Sequence, residues 1–132
     1  LRFVSSLPLH DQPGTCYRYS ISFAILGLVI ERVSGRSLED HLQTELLRPL
    51  KMTDTGFVIP PEKRSRVARI CRRDAAGRLF IDPKSEARVP ARGTFFAGGG
   101  DLFSTADDLA RLGRMLLNRG ELDGTRVLAP AS

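Results

Sequence analysis

The chain has 132 residues, enough for one domain of ordinary size and too few for two with separate cores. Hydrophobic residues make up 42% and charged residues 27%, a globular composition that argues against disorder of the whole chain. The net charge of +5 comes from one segment: between Pro61 and Arg92 ten basic residues face four acidic ones, which leaves −1 for the remainder. That segment offers only Phe80 for stacking and no helix suited to a groove, so it reads as solvated surface, and no nucleic-acid partner is expected. Two cysteines, Cys16 and Cys71, exclude a disulfide-stapled miniature fold while leaving one bridge open. The longest uncharged run, Tyr19 to Ile30, is twelve residues. Crossing a bilayer takes roughly 20 apolar residues, so no membrane helix and no membrane partner is expected.

In chain order, Ser20 to Val33 predicts the first helix, with Ser20 placed to cap its free amides and Gly35 to take the left-handed exit. Nine apolar residues between Ile21 and Val33 leave almost no polar face, which predicts burial on most sides. A second helix starts at Ser37, with Asp40 as its capping partner, and Pro49 ends it. Met52 to Pro61 reads as an irregular crossing loop. Val67 to Arg73 and Arg78 to Asp82 flank Asp74-Ala75-Ala76-Gly77 and predict a β-hairpin. Arg88 to Thr94 reads as loop. Ser104 and Asp107 then form a capping pattern for a third helix, with Leu109, Leu112, Met115 and Leu116 as its apolar stripe and its end near Asn118-Arg119-Gly120. Asp123-Gly124 predicts a tight turn before a short strand at Arg126-Val127-Leu128. The fold class is therefore α+β, mostly α with a small β-hairpin.

Most chemistry-bearing motifs are absent. Gly-x-Ser-x-Gly fails at Ser34, where Arg32 stands in place of the first glycine. His10 and His41 are not spaced as a metal pair, and neither His-Glu-x-x-His nor Cys-x-x-Cys occurs, so no metal and no cofactor is expected. Gly98-Gly99-Gly100 lacks the Lys-Ser/Thr of a phosphate loop and suits a tight backbone approach as well as a ligand role.

What remains is PGTCYRYS at 13–20, followed by LGLVIERVSGRSLEDHL, LLRPLKMTDTGF and AGGGDLFSTADDLARLGRMLLNRGELDGTRVL. These ordered blocks, covering 7–57 and 94–132, resemble the superfamily of class C β-lactamases, penicillin-binding proteins and carboxylesterases, family VIII-type esterases included. The resemblance implies the helical lobe of the β-lactamase/transpeptidase-like fold and catalysis through an acylated serine. It marks Tyr19 as the catalytic tyrosine that assists proton transfer. A serine hydroxyl is a poor nucleophile until a neighbour takes its proton, and a phenol does so only where nearby cations stabilise its anion.

The residue matching the family asparagine is Ile21, which has no side-chain hydrogen-bonding group for a substrate amide and favours an ester over a β-lactam. Phe96, Gly98, Gly99 and Gly100 fall on the family segment along the active-site rim, as further substrate-binding candidates. No serine has a lysine three residues on; Ser85 with Arg88 comes nearest, and arginine stays protonated. Lys-Thr-Gly and His-x-Gly are likewise absent.

The chain is therefore expected to be the central part of one β-lactamase-like domain, 1–132, with the nucleophile, its lysine and the closing strand supplied by polypeptide outside it. It is expected to be inactive alone and to self-associate through helix faces left without a sheet. The substrate implied for the whole enzyme is a small ester, β-lactam or peptide-like amide. The alternative is a non-catalytic helical interaction module whose basic segment, 61–92, holds an acidic partner.

Overall fold

The computed structural model describes residues 6–19, 21–83 and 96–130. Ser20, Lys84 and the Arg88 to Thr94 loop, with Arg88 and Arg92 of the basic segment, lie outside the described residues. The order is α1 (Ser22–Ser34), α2 (Leu38–Leu42) running on into a π-helical turn (Gln43–Leu47), a 3-10 helix (Pro61–Arg66), β1 (Cys71–Arg73), β2 (Leu79–Ile81), α3 (Ala106–Leu117), β3 (Glu121–Leu122) and β4 (Thr125–Arg126). The strands form two separate antiparallel pairs, β1 with β2 and β3 with β4, so the α+β class with helices dominant holds.

Local chemistry accounts for most of the ends. Ser37 accepts the Asp40 N–H at 3.1 Å and donates its hydroxyl to the Asp40 carboxylate at 2.7 Å, which starts α2 as expected. Helical structure ends just before Pro49, as expected, and the turn beyond it is closed by Lys51 in the left-handed region (φ 55°) with the Met52 N–H on the Leu47 carbonyl at 2.8 Å. Gly35 leaves α1 at φ 69°, giving its N–H to Glu31. At the other end of α1 the cap position falls on Ile21, whose side chain has nothing to accept a hydrogen bond.

The third helix corrects the expected cap by one residue. Thr105, not Ser104, accepts the Asp108 N–H, at 3.3 Å. The sequence Ser104-Thr105-Ala106-Asp107-Asp108 contains two overlapping capping patterns, and the second is used because it buries Asp108, 5% exposed, under the crossing loop. There the Asp108 carboxylate accepts the Asp54 N–H at 2.8 Å and the Thr55 hydroxyl at 2.7 Å, while Ser104 Oγ meets Thr55 Oγ1 at 2.8 Å. Reciprocal backbone bonds between Gly56 and Phe103, 3.1 and 2.9 Å, complete the seam.

The core lies at the far ends of α2 and α3. Leu47, Leu50, Met52, Met115 and Leu122 are buried together, with Leu42, Leu46, Leu112 and Val127 packed around them. Arg111 donates to the Leu50 carbonyl and reaches the Asp123 carboxylate at 2.7 Å, joining α3 to the turn after α2 and to the β3–β4 turn. That turn has both Asp123 and Gly124 at positive φ, as a two-residue hairpin requires, and its second strand is Thr125–Arg126 rather than Arg126 to Leu128.

Burial of α1 on most sides is not what the structure shows. Gly27 is its one buried residue, and Val33 is 83% exposed. Apolar composition records a preference for leaving water, whereas burial needs a neighbouring surface, and among the described residues Leu38 and Gly98 close on this helix at Gly27. The β1–β2 hairpin is shorter than the sequence suggests but turns where expected, with Gly77 at φ 79° and the Asp74 carboxylate accepting the N–H groups of Ala76 and Arg78, both at 2.9 Å.

The crossing loop is tied to the 3-10 helix by Asp54, which pairs with Lys63 at 2.7 Å and Arg66 at 2.8 Å. Hydrogen bonds first from Arg66 and then from Lys63 hold its carboxyl at about 2, below its usual 3.8. The unfolded chain takes up this proton first as pH falls, so the tie contributes fully above 3.8 and is lost as pH falls towards 2. Urea unfolding of an Asp54→Asn variant is expected to depend less steeply on pH across that window than the wild type. Identical slopes would remove Asp54 from the account of acid stability.

Candidate functional site

The segment leading into α1 is folded back on itself. Thr15 gives both its N–H (3.2 Å) and its hydroxyl (2.8 Å) to the Gln12 carbonyl, next to Gly14 at φ 84°. Arg18 closes the loop onto Asp11 through Nε, with a second contact from its terminal nitrogen at 3.3 Å. The Arg18 guanidinium, and after it the Cys16 thiol, hold the Asp11 carboxyl below its ordinary range, and Arg18 is raised in return. Since Arg18 is committed to Asp11, it is not free to act as the cation that activates the neighbouring phenol.

Tyr19 follows directly, with 83% of its surface open, and Ile21 at the cap of α1 is 53% exposed. Gly98 and Gly99 are laid along the first turns of the same helix. A Cβ on Gly98 would stand 2.3 Å from the Phe23 carbonyl oxygen, and one on Gly99 3.5 Å from Phe23 Cβ. Nothing lies within 4 Å of a Cβ built on Gly100. Phe96 is half-buried and packs its ring on buried Phe57, centroids 5.1 Å apart and planes tilted by 42°.

Five of the six residues singled out by sequence thus gather around the N-terminal end of α1: Tyr19, Ile21 and the glycine run. Phe96 lies next to that run but is engaged with the crossing loop. Chemically, this end of the helix offers an exposed phenol, an apolar side chain two residues on and a backbone strip without side chains. Gly98 has a packing reason of its own, because its contact with α1 leaves no room for a Cβ.

A second feature had no counterpart in the sequence reading. A cavity of about 420 Å³ opens beneath the crossing loop, lined among others by Thr55, Ser104, Lys63, Arg66 and Phe103, and by none of the six candidates. Its polar walls are already committed. Thr55 donates to Asp108, and Lys63 is bound to Asp54 and to the Thr53 carbonyl at 2.8 Å. The hydroxyls at 55 and 104 belong to the seam that holds α3, and the one signal for them in the sequence was the doubled capping pattern. Both cysteines are free and exposed, so the optional bridge is not formed. Among the described residues no group of three His, Cys, Asp or Glu side chains could hold a metal ion.

The contrast within the glycine run is testable. Gly98→Val in the full-length protein is expected to lower stability by about 1–3 kcal/mol through overpacking against α1, whereas Gly100→Ala changes it by less than about 0.5 kcal/mol. Equal effects in thermal unfolding would show that the close approach at Gly98 is not a constraint.

A family model described as Beta-lactamase matches residues 1–132. Protein Rv1367c of Mycobacterium tuberculosis is 39% identical over 132 residues, which is all of this chain and 33% of that protein. Lovastatin esterase of Penicillium rubens is 35% identical over 114 residues, 83% of this chain and 28% of that enzyme. Among solved structures, unliganded simvastatin synthase (LovD) from Aspergillus terreus superposes with a TM-score of 0.80 at 30% identity, covering 95% of this chain and 30% of that one. The chain spans about a third of the length of the curated relatives it matches. The α+β architecture is thus that of the β-lactamase/transpeptidase-like fold, and the chain belongs to the beta-lactamase family.

Proposed function

We propose that this chain is the tyrosine-bearing part of a serine hydrolase that works through an acyl-enzyme. Tyr19 is the proton-transferring phenol, and the nucleophilic serine, its lysine partner and the closing strand come from polypeptide beyond these 132 residues. The observation that carries the reading is the open phenol of Tyr19, which follows the Arg18 of the Asp11–Arg18 closure and stands two residues before the cap of α1. In the acylation step the serine Oγ bonds to the substrate carbonyl carbon as its proton passes to the phenolate. The proton then goes to the leaving alcohol or amine, and water releases the acyl group by the same route.

An ester is the favoured substrate, ahead of a β-lactam or peptide-like amide. Ile21 has no group to bind an amide, and an apolar side chain there suits an ester's acyl or alkyl portion. The lovastatin esterase relative supports the same choice. The rim is completed by Gly98, Gly99 and Gly100, with Phe96 behind them. The isolated 132-residue chain, lacking Ser-x-x-Lys, is inactive under this reading and associates with itself through the open face of α1, where Phe23, Leu26 and Val29 are exposed.

Full-length protein is expected to hydrolyse p-nitrophenyl esters faster than nitrocefin, and Tyr19→Phe is expected to lower kcat by about 10²–10⁴-fold. Full activity in the Phe variant would exclude Tyr19 from the mechanism, and a preference for nitrocefin would overturn the ester assignment. Gel filtration of the isolated chain is expected to show concentration-dependent oligomers; a clean monomer with no dye-binding apolar surface would contradict the open-face reading.

A further inference from the structure

The glycine run belongs to a loop whose two ends are fastened to neighbouring residues of the crossing loop. At one end the Phe96 ring packs on Phe57, centroids 5.1 Å apart. At the other, Phe103 and Gly56 exchange both backbone hydrogen bonds, at 3.1 and 2.9 Å. The Gly56–Phe57 dipeptide is itself held by α2 and the turn that continues it. The Glu39 carboxylate accepts the Phe57 N–H at 3.1 Å and the Gln43 side-chain amide at 3.0 Å, and that amide also reaches the Thr55 carbonyl at 3.3 Å. Phe57 is buried, so its ring offers Phe96 a fixed surface.

Between these ends the chain meets α1 through its backbone, with no room for a Cβ on Gly98 against the Phe23 carbonyl. The Gly100 N–H closes a turn on the Ala97 carbonyl at 3.2 Å, and Asp101 follows in the left-handed region at φ 66°. Three consecutive glycines have the widest backbone freedom of any tripeptide and no side chains to pack, so their place is set by the anchors on either side. Phe96 is the aromatic anchor two residues before the run.

We infer that Phe96 is a positioning residue: its ring, engaged with Phe57, acts on substrate only through the glycine run, by setting where that run stands. The inference rests on the proposed reading of Gly98 to Gly100 as the rim of an ester site, and it gives Phe96 a role behind the rim in place of a contact with substrate. A rim that drifts loses contact with the acyl or alkyl portion equally in the ground state and the transition state, which raises KM and leaves kcat in place.

In the full-length protein, Phe96→Leu is expected to raise KM for p-nitrophenyl butyrate by about threefold to tenfold, the worth of one aromatic pair, with kcat changed by less than about twofold. Phe96→Tyr keeps the ring and is expected to restore the wild-type KM. Phe57→Leu is expected to raise KM as Phe96→Leu does, and the double variant no further, because both remove one contact. Additive effects would assign Phe96 its own contact with substrate and overturn the proposal, as would an unchanged KM in Phe96→Leu or no rescue by Phe96→Tyr. Hydrogen exchange over 97–102, read by mass spectrometry, needs neither turnover nor a core that accepts Leu at 57. Exchange is expected to quicken by about threefold to tenfold in Phe96→Leu and to keep the wild-type rate in Phe96→Tyr. Quickened exchange in a protein that hydrolyses no ester would contradict the reading of the site and uphold the anchor, whereas ester hydrolysis with unchanged exchange would contradict the anchor alone.

Discussion

The structure depends on one buried carboxylate. Asp108 sits in the first turn of α3 and accepts hydrogen bonds from the backbone of Asp54 and the hydroxyl of Thr55, groups more than fifty residues away in sequence. A buried carboxylate is costly unless its lone pairs are used, so this one holds the crossing loop at a fixed height over the helix start. From that fixed point the Gly56–Phe103 bridge follows, and below it the leucine and methionine core closes between the ends of α2 and α3. Removing one partner leaves the others buried and unpaired, which is why the seam is expected to behave as a unit.

The candidate site stands away from this seam. The Asp11–Arg18 closure brings the chain to the start of α1, and Gly98 against the Phe23 carbonyl fixes the returning segment on the same helix. Residues eighty apart in sequence therefore frame one helix end. The phenol of Tyr19 lies exposed beside that end.

Local chemistry was legible where a single residue decides an outcome. The Ser37 cap, the Gly35 exit, the Asp74–Gly77 turn and the Asp123-Gly124 turn were all readable, because each is set by one side chain or by one backbone conformation. The cap of α3 was legible only to within a residue, since Ser104 and Thr105 offer equivalent hydroxyls and the choice rests on the distant partners of Asp108. The exposure of α1 was legible from the motifs missing from the chain, not from the helix itself. Its composition says that it prefers to leave water, but not whether a partner surface lies within these residues. The cavity under the crossing loop was invisible for a related reason, as its walls come from four separated stretches with no common motif.

The family resemblance named Tyr19, Ile21, Phe96 and Gly98 to Gly100 as candidates, and the structure lays Gly98 and Gly99 along the helix that Tyr19 and Ile21 precede. Geometry also separates roles within that group, with Gly98 required by packing and Gly100 free of it. The most direct measurement is a crystal structure of the full-length protein trapped as an acyl-enzyme with a slowly hydrolysed ester. The account predicts the Tyr19 hydroxyl within about 2.6–3.2 Å of the acylated serine oxygen. A serine attended by some other base, with the Tyr19 ring beyond hydrogen-bonding reach, would contradict it.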